Sequence, residues 1–254
     1  LHRVDRRQRQ MCIRDSLGVL RYSFSLDKKA EIEITSYVDG TIANADSNYD
    51  EKFWNDIRTK SANNKSLLIC ETKKTAFQVG VLASTDITLN EQDLEWKDTT
   101  DSKNYAGIYT TFLADKDENI NIEKRAIIIS SLDYDKAAIE DALNKIAIDL
   151  DKTGYDELKN KQIAAWSSKW NESDIIIEGD VSAQQAIRFN IFQLNCTYSG
   201  EDERLNIGPK GFTGEKYGGS TYWDTEAYCL PFYQATADSH VARNLLIYRY
   251  KHLK

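Results

Sequence analysis

The chain has 254 residues, of which 41% are hydrophobic, 11% aromatic and 29% charged, a composition typical of a globular protein. Its formal net charge is -7, and its Lys and Arg residues are interspersed with acidic ones, so no basic face for nucleic acid is expected. No run approaches the roughly 18 apolar residues that a membrane span needs. We therefore expect neither a nucleic-acid partner nor a membrane partner.

The cysteines do not indicate a metal site. Four of them lie far apart, with no CxxC spacing and no histidine in a ligand register: Cys12, Cys70, Cys196 and Cys229. Zinc sites need clustered ligands, so the sequence predicts no metal. Free, buried thiols are typical of a reducing compartment, and we therefore expect a cytoplasmic protein.

The first sixteen residues show no apolar period. The segment RRQRQMCIRDS, residues 6–16, matches the translation of a common transposase sequencing adapter in one reading frame. We therefore interpret residues 1–16 as a sequencing-adapter artefact and exclude them from the fold prediction. The alternative is a natural basic arm.

Residues 17–133 are dominated by an apolar period of two, which predicts β-strands. The clearest segments are YSFSL, EIEITSYV and FQVGV, and further strands are predicted in LLIC, GIYTTFLA and NINIEKRAIIIS. Polar loops separate these segments, and there is no alternating βα pattern. The sequence therefore predicts part of an N-terminal antiparallel β-sandwich.

The period then becomes helical. Residues 135–150 and 155–170 have helical apolar spacing, so residues 134–173 are predicted to form a helical linker. A third helix is predicted from about Ala183 to Tyr198, with Asp180 or Ser182 as its N-cap. A last one covers residues 239–252 and continues to the end of the chain without a cap. Strands followed by helices indicate separate layers or domains, and residues 174–254 would begin an all-helical region.

The segment EKYGGSTYWDTEAYCLPFY, residues 215–233, has the residue types of a sugar site. Six glycines lie within residues 200–220, which predicts a long loop, and Asp224 or Thr225 could cap a helix that Pro231 kinks or delays. A pyranose offers an apolar C–H face and a rim of hydroxyls, so an aromatic plate beside a carboxylate binds it well. Trp223 beside Asp224 supplies both groups. The alternative is an aromatic cluster that packs in the core.

Asp224 and Glu226 could be taken for the carboxyl pair that cleaves a glycosidic bond. On a helix, however, residues i and i+2 point apart. We therefore do not expect these two residues to act as a catalytic pair.

The stretch IGPKGFTGEKYGGSTYWDTEAYCLPFY, residues 207–233, resembles the glycoside hydrolase family 65 phosphorylases. The flanking segments, DIIIEGDVSAQQAIRFNIFQL before it and ATADSHVARNLLIYRYKHL after it, resemble the same family. The resemblance implies a β-sandwich, a helical linker and an (α/α)6 catalytic barrel, of which residues 174–254 would be the incomplete beginning. It implies an inverting phosphorolysis of an α-glucoside to β-glucose 1-phosphate, with inorganic phosphate as co-substrate, no other cofactor, no metal and a homodimeric protein.

By resemblance, Trp223 and Asp224 line the subsite that holds the transferred glucosyl unit. The general-acid Glu of the family lies downstream, so no catalytic residue is assigned here, and we expect residues 17–254 alone to be inactive. The YGGSTYWDTE version resembles that of the maltose-cleaving members, whereas the kojibiose and trehalose types read YRGHVFWDTEIF; Gly219 and Ser220 thus favour maltose. The alternatives are a hydrolase of the same family, a kojibiose or trehalose phosphorylase and, more remotely, a non-catalytic carbohydrate-binding module.

Overall fold

The computed structural model describes residues 10–11, 16–43, 52–208 and 220–253. Most of the segment interpreted as an adapter artefact, and most of the glycine-rich part of the predicted loop, lie outside these residues. The chain divides into two compact units, residues 1–43 with 52–162, and residues 44–51 with 163–254.

The first unit contains two antiparallel sheets, which confirms the predicted antiparallel strands. The larger has seven strands: β1 (Gln10–Met11), β2 (Leu17–Phe24), β4 (Trp54–Ala62), β5 (Lys65–Thr72), β6 (Gln78–Leu89), β7 (Gln92–Asp93) and β10 (Ile120–Ser130). Its order is β1-β2-β10-β6-β5-β4, with β7 paired to β6. The smaller sheet has the order β3-β9-β8, formed by β3 (Ala30–Asp39), β9 (Tyr105–Ala114) and β8 (Asp98–Thr99).

The larger sheet is covered on both faces. A short 3-10 turn (Lys136–Ala138) leads into α1 (Ile139–Leu150), whose apolar residues pack on one face against Leu67, Ile69 and Leu82. The smaller sheet packs against the other face, where the hydroxyls of Ser36 and Thr85 are buried and 2.7 Å apart. Burial on both sides explains why β5 reads as the continuous run SLLIC and not as an alternation.

Charged side chains link the helices of this unit to the larger sheet. Glu123 on β10 binds both Arg21 (2.9 Å) and Arg125 (2.6 Å). Arg125 also donates to the carbonyl of Leu150 at the end of α1, where a cation complements the helix dipole. Arg21 lies 3.9 Å from the ring centroid of Tyr155, the first residue of the next helix. These contacts join the end of one helix and the start of the next to the same two strands.

The second unit is helical. Its elements are the C-terminal part of α2 (Tyr155–Ser173), α3 (Val181–Thr197), a five-residue π-helical turn (Thr225–Cys229), α4 (Leu230–Thr236) and α5 (Ser239–Lys251). Asp180 caps α3, because its carboxylate accepts from the Ala183 N–H at 2.9 Å. Within the described ranges no helix is both long and apolar enough to cross a membrane.

The last helix corrects the sequence prediction. It does not continue to the last residue but ends at Lys251, where the N–H of His252 turns back to the carbonyls of Arg249 and Tyr250. Its buried side chains, Val241 and Leu245, pack with Tyr198, Ile207 and Tyr233 to form the core of the unit.

Gly80 on β6 faces α1 at short range. A Cβ atom there would be 2.5 Å from Cγ2 of Ile139 and 2.9 Å from Cδ1 of Leu143. Replacing Gly80 with Ala should therefore push α1 away and lower the free energy of unfolding by about 1–3 kcal/mol, as overpacking does. Urea unfolding followed by circular dichroism measures the change.

The matched control is Gly18→Ala on β2 of the same sheet, where the nearest atom would be 4.0 Å away. It should change the free energy of unfolding by less than about 0.5 kcal/mol. Equal effects of the two substitutions would show that α1 does not pack as described.

Candidate functional site

The predicted sugar site lies at the start of a helix whose first turn is π-helical and therefore wider than an α-helical turn. Pro231 has no N–H to donate, and the chain before it forms a π-helical turn in which the Leu230 N–H bonds to the Thr225 carbonyl. The regular helix α4 begins at Leu230, with Pro231 in its first turn. Such π-turns are frequent at functional sites.

The capping prediction for this helix is wrong. Asp224 has helical backbone angles (φ -53, ψ -35), and its side chain makes no capping hydrogen bond. The hydroxyl of Thr225 donates to the carbonyl of Ile207 at 2.7 Å, deep in the unit, and is not available as a cap. The Asp224 carboxylate is therefore not used to stabilise the helix.

Trp223 and Asp224 both lie on the surface of the second unit. The Trp223 side chain is 66% exposed, so the alternative of a core residue does not hold for it. Tyr222 and Tyr228 of the same segment are also exposed, whereas Thr225 and Tyr233 are fully buried. The segment thus exposes three of its aromatic rings and is anchored by Thr225 and Tyr233.

Arg249, in the last turn of α5, binds this segment through several hydrogen bonds. Its Nε and Nη2 bind the two carboxylate oxygens of Glu226 at 2.8 and 3.0 Å. Nη2 also donates to the carbonyl of Tyr222 at 2.9 Å, and Nη1 donates to the hydroxyl of Thr221 at 3.1 Å. The carbon of its guanidinium lies 5.0 Å from the centroid of the Trp223 ring. The hydrogen bond with Glu226 raises the pKa of Arg249.

The two acidic residues of the motif therefore lie in different surroundings. The Glu226 side chain is 15% exposed and paired with Arg249. Asp224 is exposed and makes no ion pair among the residues that the structure describes. Glu226 thus supports the segment, whereas Asp224 is exposed.

Helix α5 also contacts the first residues of the segment that is predicted to form a long loop. Gly200 has φ +80, and a Cβ atom there would be 2.6 Å from the side chain of Val241, so only glycine fits. The side-chain amide of Asn244 donates to the Gly200 carbonyl at 2.6 Å, and Lys251 pairs with Glu203. One helix therefore contacts the chain on both sides of the loop.

Four titratable groups of this unit, two tyrosines and two cysteines, have raised pKa values. Burial raises the pKa of Tyr198 to about 12 and raises that of Tyr233 further, and the Tyr233 hydroxyl donates to the Leu194 carbonyl at 2.7 Å. Burial also raises the pKa of the Cys196 and Cys229 thiols. These groups stay protonated at neutral pH, so none of them is an ionised nucleophile.

Three cysteines of the described part, Cys70, Cys196 and Cys229, are free thiols, and only Cys70 is fully buried. Cys12 lies outside the described residues. Across the residues that the structure covers, no group of three or more His, Cys, Asp or Glu side chains is placed to hold a metal ion.

Sequence reasoning did not find Arg249. Its partners, Thr221, Tyr222 and Glu226, lie 23 to 28 residues earlier in the chain. Helical spacing links only residues three or four apart, so no local pattern indicates this contact.

Two family profiles match the chain. The glycosyl hydrolase family 65 N-terminal domain matches residues 8–169, and the glycosyl hydrolase family 65 central catalytic domain matches residues 188–254.

Curated proteins similar to the chain are phosphorylases by name. Maltose phosphorylase of Bacillus subtilis (strain 168) is 38% identical over 225 residues, which cover 89% of this chain and 29% of that protein. Nigerose phosphorylase of Lachnoclostridium phytofermentans is 30% identical over 251 residues, covering 92% of this chain and 32% of that protein. Kojibiose phosphorylase of Caldanaerobacter subterraneus is 37% identical over 145 residues, or 57% of this chain and 19% of that protein. The chain thus spans a third or less of the length of these relatives.

A solved structure described as a putative kojibiose phosphorylase from the human microbiome superposes with a TM-score of 0.81 and 24% identity. The match covers 92% of this chain and 30% of that one, and it shows a shared fold. The N-terminal-domain profile by itself spans residues 8–169, well over half of the sequence, and the chain therefore belongs to glycosyl hydrolase family 65.

Proposed function

We propose that the chain forms the N-terminal and early-barrel part of an inverting disaccharide phosphorylase that cleaves an α-glucoside, maltose, with inorganic phosphate. The products would be β-glucose 1-phosphate and glucose. The observation that carries the proposal is the exposed pair of Trp223 and Asp224, which lies within the segment that resembles the glucosyl subsite of the family.

The pair suits a glucosyl ring for physical reasons. The exposed indole of Trp223 offers an apolar plate to the C–H face of the ring. The Asp224 carboxylate can accept hydrogen bonds from two neighbouring hydroxyls. As the glycosidic bond breaks, the ring gains positive charge, and hydrogen bonds to a nearby carboxylate strengthen. Asp224 would therefore bind the transition state more tightly than the ground state.

The chemical step needs two further groups. A general acid protonates the glycosidic oxygen, while phosphate attacks the anomeric carbon from the opposite face, in place of the water of inverting hydrolases. We assign the general acid to a Glu downstream of this chain, and no catalytic residue to the chain itself. The proposal needs no metal and no cofactor besides phosphate as co-substrate.

Maltose is favoured among the disaccharides because the chain is 38% identical to a relative named maltose phosphorylase over 89% of its length. Of the two positions that favour maltose in the sequence, Ser220 lies among the described residues and Gly219 lies outside them. Kojibiose phosphorylase is the second candidate, supported by 37% identity over 57% of the chain.

The domain arrangement is part of the same proposal. Residues 17–133 would belong to the β-sandwich, residues 134–173 to a helical linker and residues 174–254 to the first helices of an (α/α)6 barrel. The two packed sheets and the helices α3, α4 and α5 support this order. The complete protein would be a cytoplasmic homodimer, as the family resemblance implies.

A chimera tests the activity. The aligned part of this chain, 89% of its length, replaces the matching part of Bacillus subtilis maltose phosphorylase, and glucose 1-phosphate is measured by a coupled assay. We expect product from maltose only when phosphate is present, and a kcat/KM at least about tenfold lower for kojibiose, nigerose and trehalose, since about 1.4 kcal/mol of differential binding gives that ratio. Glucose release that does not depend on phosphate would instead indicate a hydrolase.

The same assay is also carried out on the 254-residue chain by itself. It should release no glucose 1-phosphate from maltose and phosphate above background, because the general acid is assigned to a part beyond the aligned residues. Product formation by this chain would overturn that assignment.

Substitutions in the chimera test the binding pair. Asp224→Asn keeps the size of the side chain but removes its negative charge. Because this charge stabilises the positively charged sugar ring of the transition state, kcat should fall by about 100-fold or more. Trp223→Ala removes the stacking plate and should raise KM for maltose by about tenfold. Both are read from initial rates over a range of maltose concentrations.

Tyr228→Ala is the matched control, since this aromatic residue lies in the same segment and is 77% exposed. It should change kcat/KM by less than about twofold, as surface substitutions away from a site do. A Tyr228→Ala loss equal to that of Trp223→Ala would count against the specific role of the pair.

A further inference from the structure

We infer that Arg249 is a positioning residue of the proposed glucosyl subsite: its guanidinium fixes which face of the Trp223 indole is presented to the sugar. The sugar-binding part of this inference rests on the proposed function. The contact itself does not, because it is formed entirely by described residues of one unit.

The hydrogen bonds of Arg249 leave the segment little freedom. Arginine has five N–H donors in one plane, and here four hydrogen bonds reach Glu226 twice, Tyr222 and Thr221. These partners lie on both sides of Trp223 in the sequence. The chain that carries the indole is therefore held before and after it.

The plane of the Arg249 guanidinium also determines the orientation of the Trp223 ring. The paired bonds to Glu226 fix the tilt of the guanidinium, and the Trp223 ring lies over it at 5.0 Å. A cation over an indole face is attracted by the ring quadrupole, so this face is occupied by Arg249. A sugar that stacks on Trp223 must then use the other face, and Asp224 follows directly along the chain.

Lysine should not replace arginine here. An ammonium group is a point charge with no planar fork, so it cannot bind two carboxylate oxygens in parallel and also cover a ring. The Arg249 and Glu226 side chains are 18% and 15% exposed, so water solvates neither charge well. An ammonium group that did not pair with Glu226 would leave the carboxylate poorly solvated and unpaired, which is costly.

The first test uses the whole 254-residue chain with labelled tryptophan. Its five indole N–H groups each give one cross-peak in a proton–nitrogen spectrum, and Trp223→Phe identifies the peak of Trp223. Arg249→Lys should shift this peak and leave the other four in place. Glu226→Gln should shift the same peak, because it loosens the guanidinium while keeping the arginine. It also keeps the test valid if Arg249→Lys does not fold.

Arg243→Gln is the matched control, since Arg243 lies on the same helix and is exposed. All five peaks should stay in place. A Trp223 peak that is unchanged in both Arg249→Lys and Glu226→Gln, or that shifts equally in Arg243→Gln, would overturn the inference.

The second test asks whether Arg249 acts through Trp223. In the phosphorolysis assay of the chimera, Arg249→Lys should lower kcat/KM by about tenfold, which equals about 1.4 kcal/mol. Combined with Trp223→Ala, it should cost less than about twofold beyond Trp223→Ala alone, because residues that act through one another are not additive. Full additivity would overturn the inference. Absence of any phosphorolysis in the chimera without substitutions would refute the proposed function instead, and the spectral result would be unaffected.

Discussion

The ion pair of Arg249 with Glu226 is the contact on which the candidate site depends. Exposed ion pairs contribute little to stability, but this pair is mostly buried and bidentate, which restricts both side chains to one geometry. It joins the last turn of α5 to a segment that is otherwise anchored by the buried side chains of Thr225 and Tyr233. Because α5 also contacts Gly200, the same helix holds the chain both at Gly200 and at the motif. The site therefore takes its shape from the packing of one helix.

Pro231 contributes in a different way. Since it cannot donate a backbone hydrogen bond, the chain before it widens into a π-turn, and the residue expected to cap the helix keeps a helical backbone instead. A carboxylate at an N-cap is committed to backbone N–H groups. Asp224 is free of that commitment and is exposed next to Trp223. The proline thus goes together with an Asp224 side chain that makes no capping hydrogen bond.

The sequence predicted the regular elements well where one face is buried. The alternation in β9 and β10 and the helical spacing in α1 led to the right elements, and Asp180 was among the expected caps. The strand β4 was missed, because an edge strand such as WNDIRTKSA has charged residues in place of a clear apolar alternation. Capping rules failed at Asp224 because the proline acts seven residues later. Arg249 could not be found at all, because its role exists only after α5 packs behind the motif.

The division between buried and exposed residues in the motif also decides how its variants can be interpreted. Thr225 and Tyr233 are fully buried and bond to carbonyls of other segments, so their replacement would disturb the fold and the site together. Trp223 and Asp224 have no comparable role in the core. Surface side chains of this kind usually contribute little to folding. Losses of activity at these two positions therefore report on binding, whereas losses at Arg249 need the comparison with Trp223, because its ion pair supports both the fold and the orientation of the indole.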